Sequence, residues 1–119
     1  MIEEKYKYII DSLVSATQSD KIQWSKTSRD SEFIVNIGSG SISIDNYLES
    51  NINLYFATEV VSFAILNDIG EPITKILSQK ETDSEDYEYL KNFYILVQNS
   101  YLKADKTINS MMDFLHKLK

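Results

Sequence analysis

The sequence predicts an α+β fold. It is an antiparallel β-meander of three to four strands, flanked by an N-terminal helix and a long C-terminal helix, in the order α-β-β-β(-β)-α. Three observations predict it. Apolar residues at the N-terminus recur at helical spacing. The middle of the chain alternates apolar and polar residues between Gly, Asn and Asp turn signals. The last third carries one apolar line with helical period and no slip. At 119 residues the chain is read as a single domain over 1–119.

The first helix is read over residues 2–18. Ile2, Tyr6, Ile9, Leu13 and Ala16 fall on one face, Glu3 and Glu4 lie in the first turn where the helix dipole favours them, and Ser19-Asp20 ends it. Ile22-Gln23-Trp24 alternates as a short strand would, and Trp24 is the only tryptophan. One reading makes Trp24 a core anchor closing the helix onto the sheet. The other makes it a surface on which a ligand stacks.

Glu32 to Ile37 reads as a strand with Phe33, Val35 and Ile37 on one face. Gly38-Ser39-Gly40 is a tight turn. Ser41 to Asp45 returns with Ile42 and Ile44 inward and the serines outward. Asn46 to Asn53 is read as a polar connection. Leu54 and Phe56 then alternate in one phase, and Val61, Phe63 and Ile65 in the other, which requires a break at Ala57 to Glu59. Asn67-Asp68-Ile69-Gly70 is a hairpin turn. Glu71 to Ser78 is the last strand, with Pro72 marking either an edge strand or the strand's first residue.

From Ser84 the apolar line is Tyr87, Leu90, Tyr94, Val97, Tyr101, Ala104, Ile108, Met111, Leu115 and Leu118, with Asn92, Asn99, Lys106 and Asp113 opposite. Ser84 or Asp83 is a competent N-cap. A second line runs through Tyr89, Phe93, Leu96 and Leu102, extended by Met112 and Phe114. About 34 residues of helix would span roughly 50 Å. A globule of this size is only about 35 Å across, from a radius of gyration near 13.5 Å. The helix therefore projects, breaks, or packs on something outside its own fold. Lys103-Ala104-Asp105 is the expected break, with Asp105 capping a second segment.

Composition excludes several functions. The chain has no cysteine, which removes disulfides, thiolate metal sites and cysteine nucleophiles together. With an N-terminus that lacks a signal-peptide pattern, this points to a cytoplasmic protein. The most apolar stretch, Leu54 to Leu66, is interrupted by Thr58, Glu59 and Ser62, so no membrane span is expected. Net charge is −6 with a single arginine, and without a basic stripe no nucleic-acid binding is expected. The acidic run Glu81 to Asp86 reads as a solvated loop and helix start. Richness in Ile, Lys, Asn, Ser and Tyr resembles the coding bias of an AT-rich bacterial genome.

No motif carries chemistry. Gly38-Ser39-Gly40 precedes a strand, whereas a phosphate loop needs a helix N-terminus directly behind it. His116 is the only histidine, and no cysteine exists to complete a metal site with it. Carboxylate pairs at helical spacing, such as Glu81 with Glu85, lack an apolar pocket to raise a pKa. No catalytic, cofactor or metal residue is assigned. Eight tyrosines divide between core packing and an association surface.

The stretch Leu90-Lys91-Asn92-Phe93-Tyr94 through Ala104-Asp105-Lys106-Thr107-Ile108-Asn109-Ser110-Met111-Met112 resembles the last helix of a loosely related set of small bacterial proteins. In these, a helix precedes a strand meander and a long helix closes the chain. Their last helix carries an aromatic, a small-basic-basic triplet and an apolar-acid-x-x-apolar ending. This chain has Gln98-Asn99 in place of the basic pair. Members stand alone or beside signalling, toxin or defence proteins, so the resemblance implies an interaction module rather than an enzyme. The expected function is accordingly a non-enzymatic protein-interaction module. The expected partner is a second copy of the chain, met through Phe93, Tyr94, Leu96, Val97, Tyr101, Leu102, Ile108, Met111, Met112 and Leu115. An immunity- or inhibitor-type protein that neutralises a basic toxin or nuclease is the alternative, and a small-molecule-binding domain built on Trp24 and the tyrosines is the third.

Overall fold

A computed structural model describes residues 1–51 and 56–119. The protein is α+β, with a five-stranded antiparallel sheet. Helix α1 (Glu4–Gln18) is followed by β1 (Ser25–Lys26), β2 (Glu32–Ile37), β3 (Gly40–Asn51), β4 (Phe56–Leu66) and β5 (Pro72–Gln79). Helices α2 (Ser84–Leu102) and α3 (Ala104–Lys117) close the chain. The strands lie in sequence order β1-β2-β3-β4-β5. This is the meander expected, with one strand more, because the segment after Trp24 adds Ser25–Lys26 to the edge of β2.

Alternation builds the core. Phe33 and Val35 of β2, Ile42 and Ile44 of β3, and Val61 and Phe63 of β4 share one face of the sheet, where Ile10 and Leu13 of α1 and Leu90, Phe93 and Val97 of α2 cover them. Each such side chain, fully buried, contributes roughly 1.5–3 kcal/mol. The opposite face carries smaller groups: Ser43 lies across from Ala64, and Asp45 across from Ser62. Ser43 points away from the helices as expected, yet it is buried. At the middle of a sheet a short side chain is shielded by its larger neighbours.

Helix α1 ends in a Schellman arrangement. Asp20 takes the left-handed conformation (φ 59°), the Asp20 N–H donates to the Thr17 carbonyl, and the Lys21 N–H donates to the Ala16 carbonyl. Gly38 turns the β2–β3 hairpin at φ 57°. Gly40 already belongs to β3, opposite Ile37, and a Cβ added to it would run into the Leu66 carbonyl. In the β4–β5 hairpin, the Asn67 side-chain oxygen accepts from the Ile69 and Glu71 amides at 3.1 and 2.9 Å.

Two expectations about the sheet are corrected. Asn46 to Asn51 is not a connection but the outer half of β3, paired residue by residue with β4 down to Asn51 opposite Phe56. No break occurs at Ala57 to Glu59. The irregularity lies between Ile65 and Leu66, against β5. The outer β3–β4 ladder runs past the last residues paired with β2 and β5, so burial does not impose alternation there. Leu54, and Tyr55 beside it, lie outside the described residues.

The long C-terminal helix breaks where expected. Lys103 adopts φ 55°, ψ 42°, and is at once the C-cap of α2 and the N-cap position of α3. Asp105 is not the cap; it lies in the first turn of α3. The radius of gyration is 16.6 Å and the longest extent 57 Å, both beyond those of a compact chain of this length because α3 stands off the body.

Candidate protein-interaction surface

Helix α3 is amphipathic and buries none of its residues. Ile108, Met111 and Leu115 are 54, 61 and 57% exposed, and Met112, Phe114 and Leu118 are exposed beside them. Lys106, Asn109, Asp113 and Lys117 occupy the other side of the helix. The tie between α3 and the body among the described residues is an ion pair from Lys106 Nζ to Asp20 Oδ2 at 3.2 Å, with both side chains more than half exposed. Such a pair contributes about 0–1 kcal/mol. The residues from Lys103 to Lys119 carry four lysines against two aspartates, whereas residues 1–102 carry eight basic and sixteen acidic side chains.

The ten residues expected at an interface divide at the α2–α3 junction. Phe93, Tyr94 and Val97 are buried in the protein's own core and cannot meet a partner. Phe93 packs edge-on to Trp24 at 5.8 Å, and the Tyr94 hydroxyl donates to the Ser31 carbonyl at 2.7 Å. Leu96 is half-buried. Tyr101 packs at a tilt against Phe33, ring centres 5.2 Å apart, with Lys26 Nζ over its ring at 5.7 Å. Leu102, Ile108, Met111, Met112 and Leu115 are exposed. Phe114 and Leu118 belong with them. Both lie on the apolar lines read from the sequence, and their place beyond the reach of the sheet was the signal for adding them.

A groove of about 620 Å³ lies at the junction, between the end of α1, the Ile22–Trp24 segment, the last turns of α2 and the first turn of α3. Trp24 forms part of its wall but is 5% exposed. Its indole N–H donates to Thr17 Oγ1 at 3.0 Å, and the Thr17 hydroxyl donates to the Leu13 carbonyl at 2.7 Å. The tryptophan is thus the core anchor, its polar group engaged within the fold. Around it the groove offers Asp20, Asn99, Ser100 and Lys106 at the rim.

The titratable groups with the largest pKa shifts lie elsewhere and join elements. Lys91 of α2 donates from Nζ to Glu59 Oε1 of β4 at 2.8 Å and to Asn46 Oδ1 of β3. The Lys91 hydrogen bond first, and the Tyr87 hydroxyl second, hold the Glu59 carboxyl down at about 2. Burial, and then the Glu59 carboxylate, push the Tyr87 phenol up. Burial likewise raises Tyr89, followed by its hydrogen bond to Asp11 Oδ1 at 2.6 Å, which ties α2 to α1. On the sheet face away from the helices, Arg29 Nε pairs with Asp45 Oδ2 at 2.9 Å. The Asp45 side chain is 6% exposed, and its Oδ1 is buried without a hydrogen-bond partner. These groups do not converge on one opening, as a catalytic constellation would.

Among the described residues no three His, Asp or Glu side chains are grouped to hold a metal ion, and no helix is long and apolar enough to cross a membrane. Searches of protein-family models, curated proteins and solved structures find no match to this chain. Nothing in them bears on the resemblance of the last helix described above.

Proposed function

We propose that this protein is a non-enzymatic interaction module whose docking element is α3, and that the partner is a second copy of the chain. One observation carries the reading: an amphipathic helix with six large apolar side chains exposed, from Ile108 to Leu118, that follows α2 after the single residue Lys103. Those side chains present about 700 Å² of surface per chain, close to the roughly 800 Å² per partner of a standard protein interface. Monomers rarely leave a contiguous apolar patch of that size in water. A second copy brings the same surface and needs no further component.

Light scattering tests this. The wild type is expected at twice the 13.8 kDa chain mass at micromolar concentration. Ile108→Glu is expected at the mass of one chain with its far-UV helical signal largely kept, because a charge at the contact must be desolvated without a partner. A wild type that is monomeric at about 100 µM, a concentration that would populate even a weak dimer, overturns the proposal.

A further inference from the structure

Nothing in the local sequence calls for a break at Lys103. Residues 98–108 contain neither glycine nor proline, the usual causes of a sharp kink. Lys103 nonetheless holds φ 55° and ψ 42°, and no side-chain hydrogen bond caps either helix there. That left-handed conformation is costly for a residue with a Cβ. The apolar line meanwhile crosses the junction in phase. Val97, Tyr101, Ala104, Ile108, Met111 and Leu115 are spaced 4-3-4-3-4, the period of one unbroken helix.

The backbone hydrogen bonds point the same way. At the junction the Lys103 amide donates to the Asn99 and Ser100 carbonyls, and the Thr107 amide to the Lys103 carbonyl. In a continuous helix the Ala104, Asp105 and Lys106 amides would donate as well, to the Ser100, Tyr101 and Leu102 carbonyls. What holds the bend among the described residues is the exposed ion pair of Lys106 with Asp20, which is weak and screened by salt. Helix α3 buries none of its residues, so swinging it away uncovers no core. We infer that the α2–α3 junction is a two-state hinge. Its bent form, described above, is latched by Lys106 and Asp20; in its straight form Ser84 to Lys117 is one helix. About 34 residues at 1.5 Å rise then reach roughly 50 Å, and the apolar side chains of α3 fall in line with those of α2. The hinge operates within one chain, whatever α3 docks on, and sets how far from the body that surface is presented.

Because the chain contains no cysteine, spin labels at Asn92→Cys and Asp113→Cys read the hinge by double electron–electron resonance. Both positions are exposed. They share a stripe, at steps of seven residues, with Asn99 and Lys106, which line the groove inside the bend, so bending brings them together. In the straight helix they stand about 31 Å apart, at 1.5 Å per residue. The labelled chain is diluted with unlabelled chain, so that each distance lies within one molecule. The labelled chain with no further substitution is expected to show two distances, that one and a shorter one. Asp20→Asn removes the charge of the latch and keeps the left-handed cap, which Asn tolerates. It is expected to raise the share of the longer distance several-fold, as is about 1 M salt. Lys103→Gly takes the left-handed conformation at no steric cost and is expected to lower that share several-fold. A longer component that neither substitution moves, or one that is absent from all three chains, overturns the hinge. A long distance alone in the chain with Asp20 and Lys103 intact overturns the latched form. None of these readings depends on the mass found by light scattering, so the hinge and the self-association proposed above fail separately.

Discussion

Replacing Lys91 by Met removes a cation from one polar cluster while keeping most of the side-chain volume. Lys91 donates to Glu59 and Asn46, and it lies 5.8 Å from the centre of the Tyr94 ring. Glu59 titrates at about 2 in the folded protein against an ordinary 4.5. At 1.36 kcal/mol for each pKa unit, that shift corresponds to about 3 kcal/mol. Part of that shift survives without Lys91, because the Tyr87 hydroxyl and Asn46 still hold the Glu59 carboxylate, and both side chains of the ion pair are 27% exposed, so the expected loss is about 2 kcal/mol. The folded pKa is depressed. The contribution is therefore complete above pH 4.5 and disappears as pH falls towards 2. Urea denaturation followed by far-UV circular dichroism, at fixed protein concentration and stepwise from pH 7 to pH 2, reads this directly. Lys91→Met is expected to be about 2 kcal/mol less stable at neutral pH, or about 8 °C lower in melting temperature for a chain of this size. The gap to the wild type should close across the acid window. A gap that stays constant from pH 7 to pH 2 would show that Lys91 acts through packing alone, and the electrostatic reasoning would fail.

Three further substitutions probe the sheet. Gly40→Val is expected to cost about 1–3 kcal/mol in urea denaturation, the usual cost of forcing extra volume into a packed site; the added Cβ meets the Leu66 carbonyl, and an unchanged midpoint would contradict this. Arg29→Ala is expected to cost about 2–3 kcal/mol, more than Asp45→Asn, because it strands a buried carboxylate while the second change neutralises it; the reverse order would mean that Arg29 contributes little across its pair with Asp45.

Much of this fold is legible wherever one periodicity meets one burial gradient. Phe33, Val35, Ile42 and Ile44 alternate because the sheet has one face under helices, and Gly38 and Gly70 mark turns that require positive φ. The outer half of β3 was not legible. Asn46 to Asn51 pair through backbone groups, and a ladder reaching past the helices imposes no apolar pattern on its side chains. The division of the apolar line was only partly legible. Tyr94 and Val97 belong to the same helical stripe as Ile108 and Met111, yet the first two are buried and the last two exposed. Periodicity reports which residues share a face, not whether the domain extends far enough to cover it. The clash between an estimated 50 Å helix and a body of about 35 Å carried that information, and it pointed to the junction where Lys103 turns the chain.

That junction makes α3 a lever. Fourteen helical residues at a rise of 1.5 Å form an arm of about 21 Å, and its bearing is set at one residue. A rotation of about 20° there carries the far end of the arm through about 7 Å, while the hydrogen bonds within either helix stay intact. The left-handed conformation that Lys103 holds is a costly one for a residue with a side chain. Its backbone torsions thus set the direction of the arm, and a substitution that alters them would re-aim the exposed apolar side chains of α3 without changing any of them.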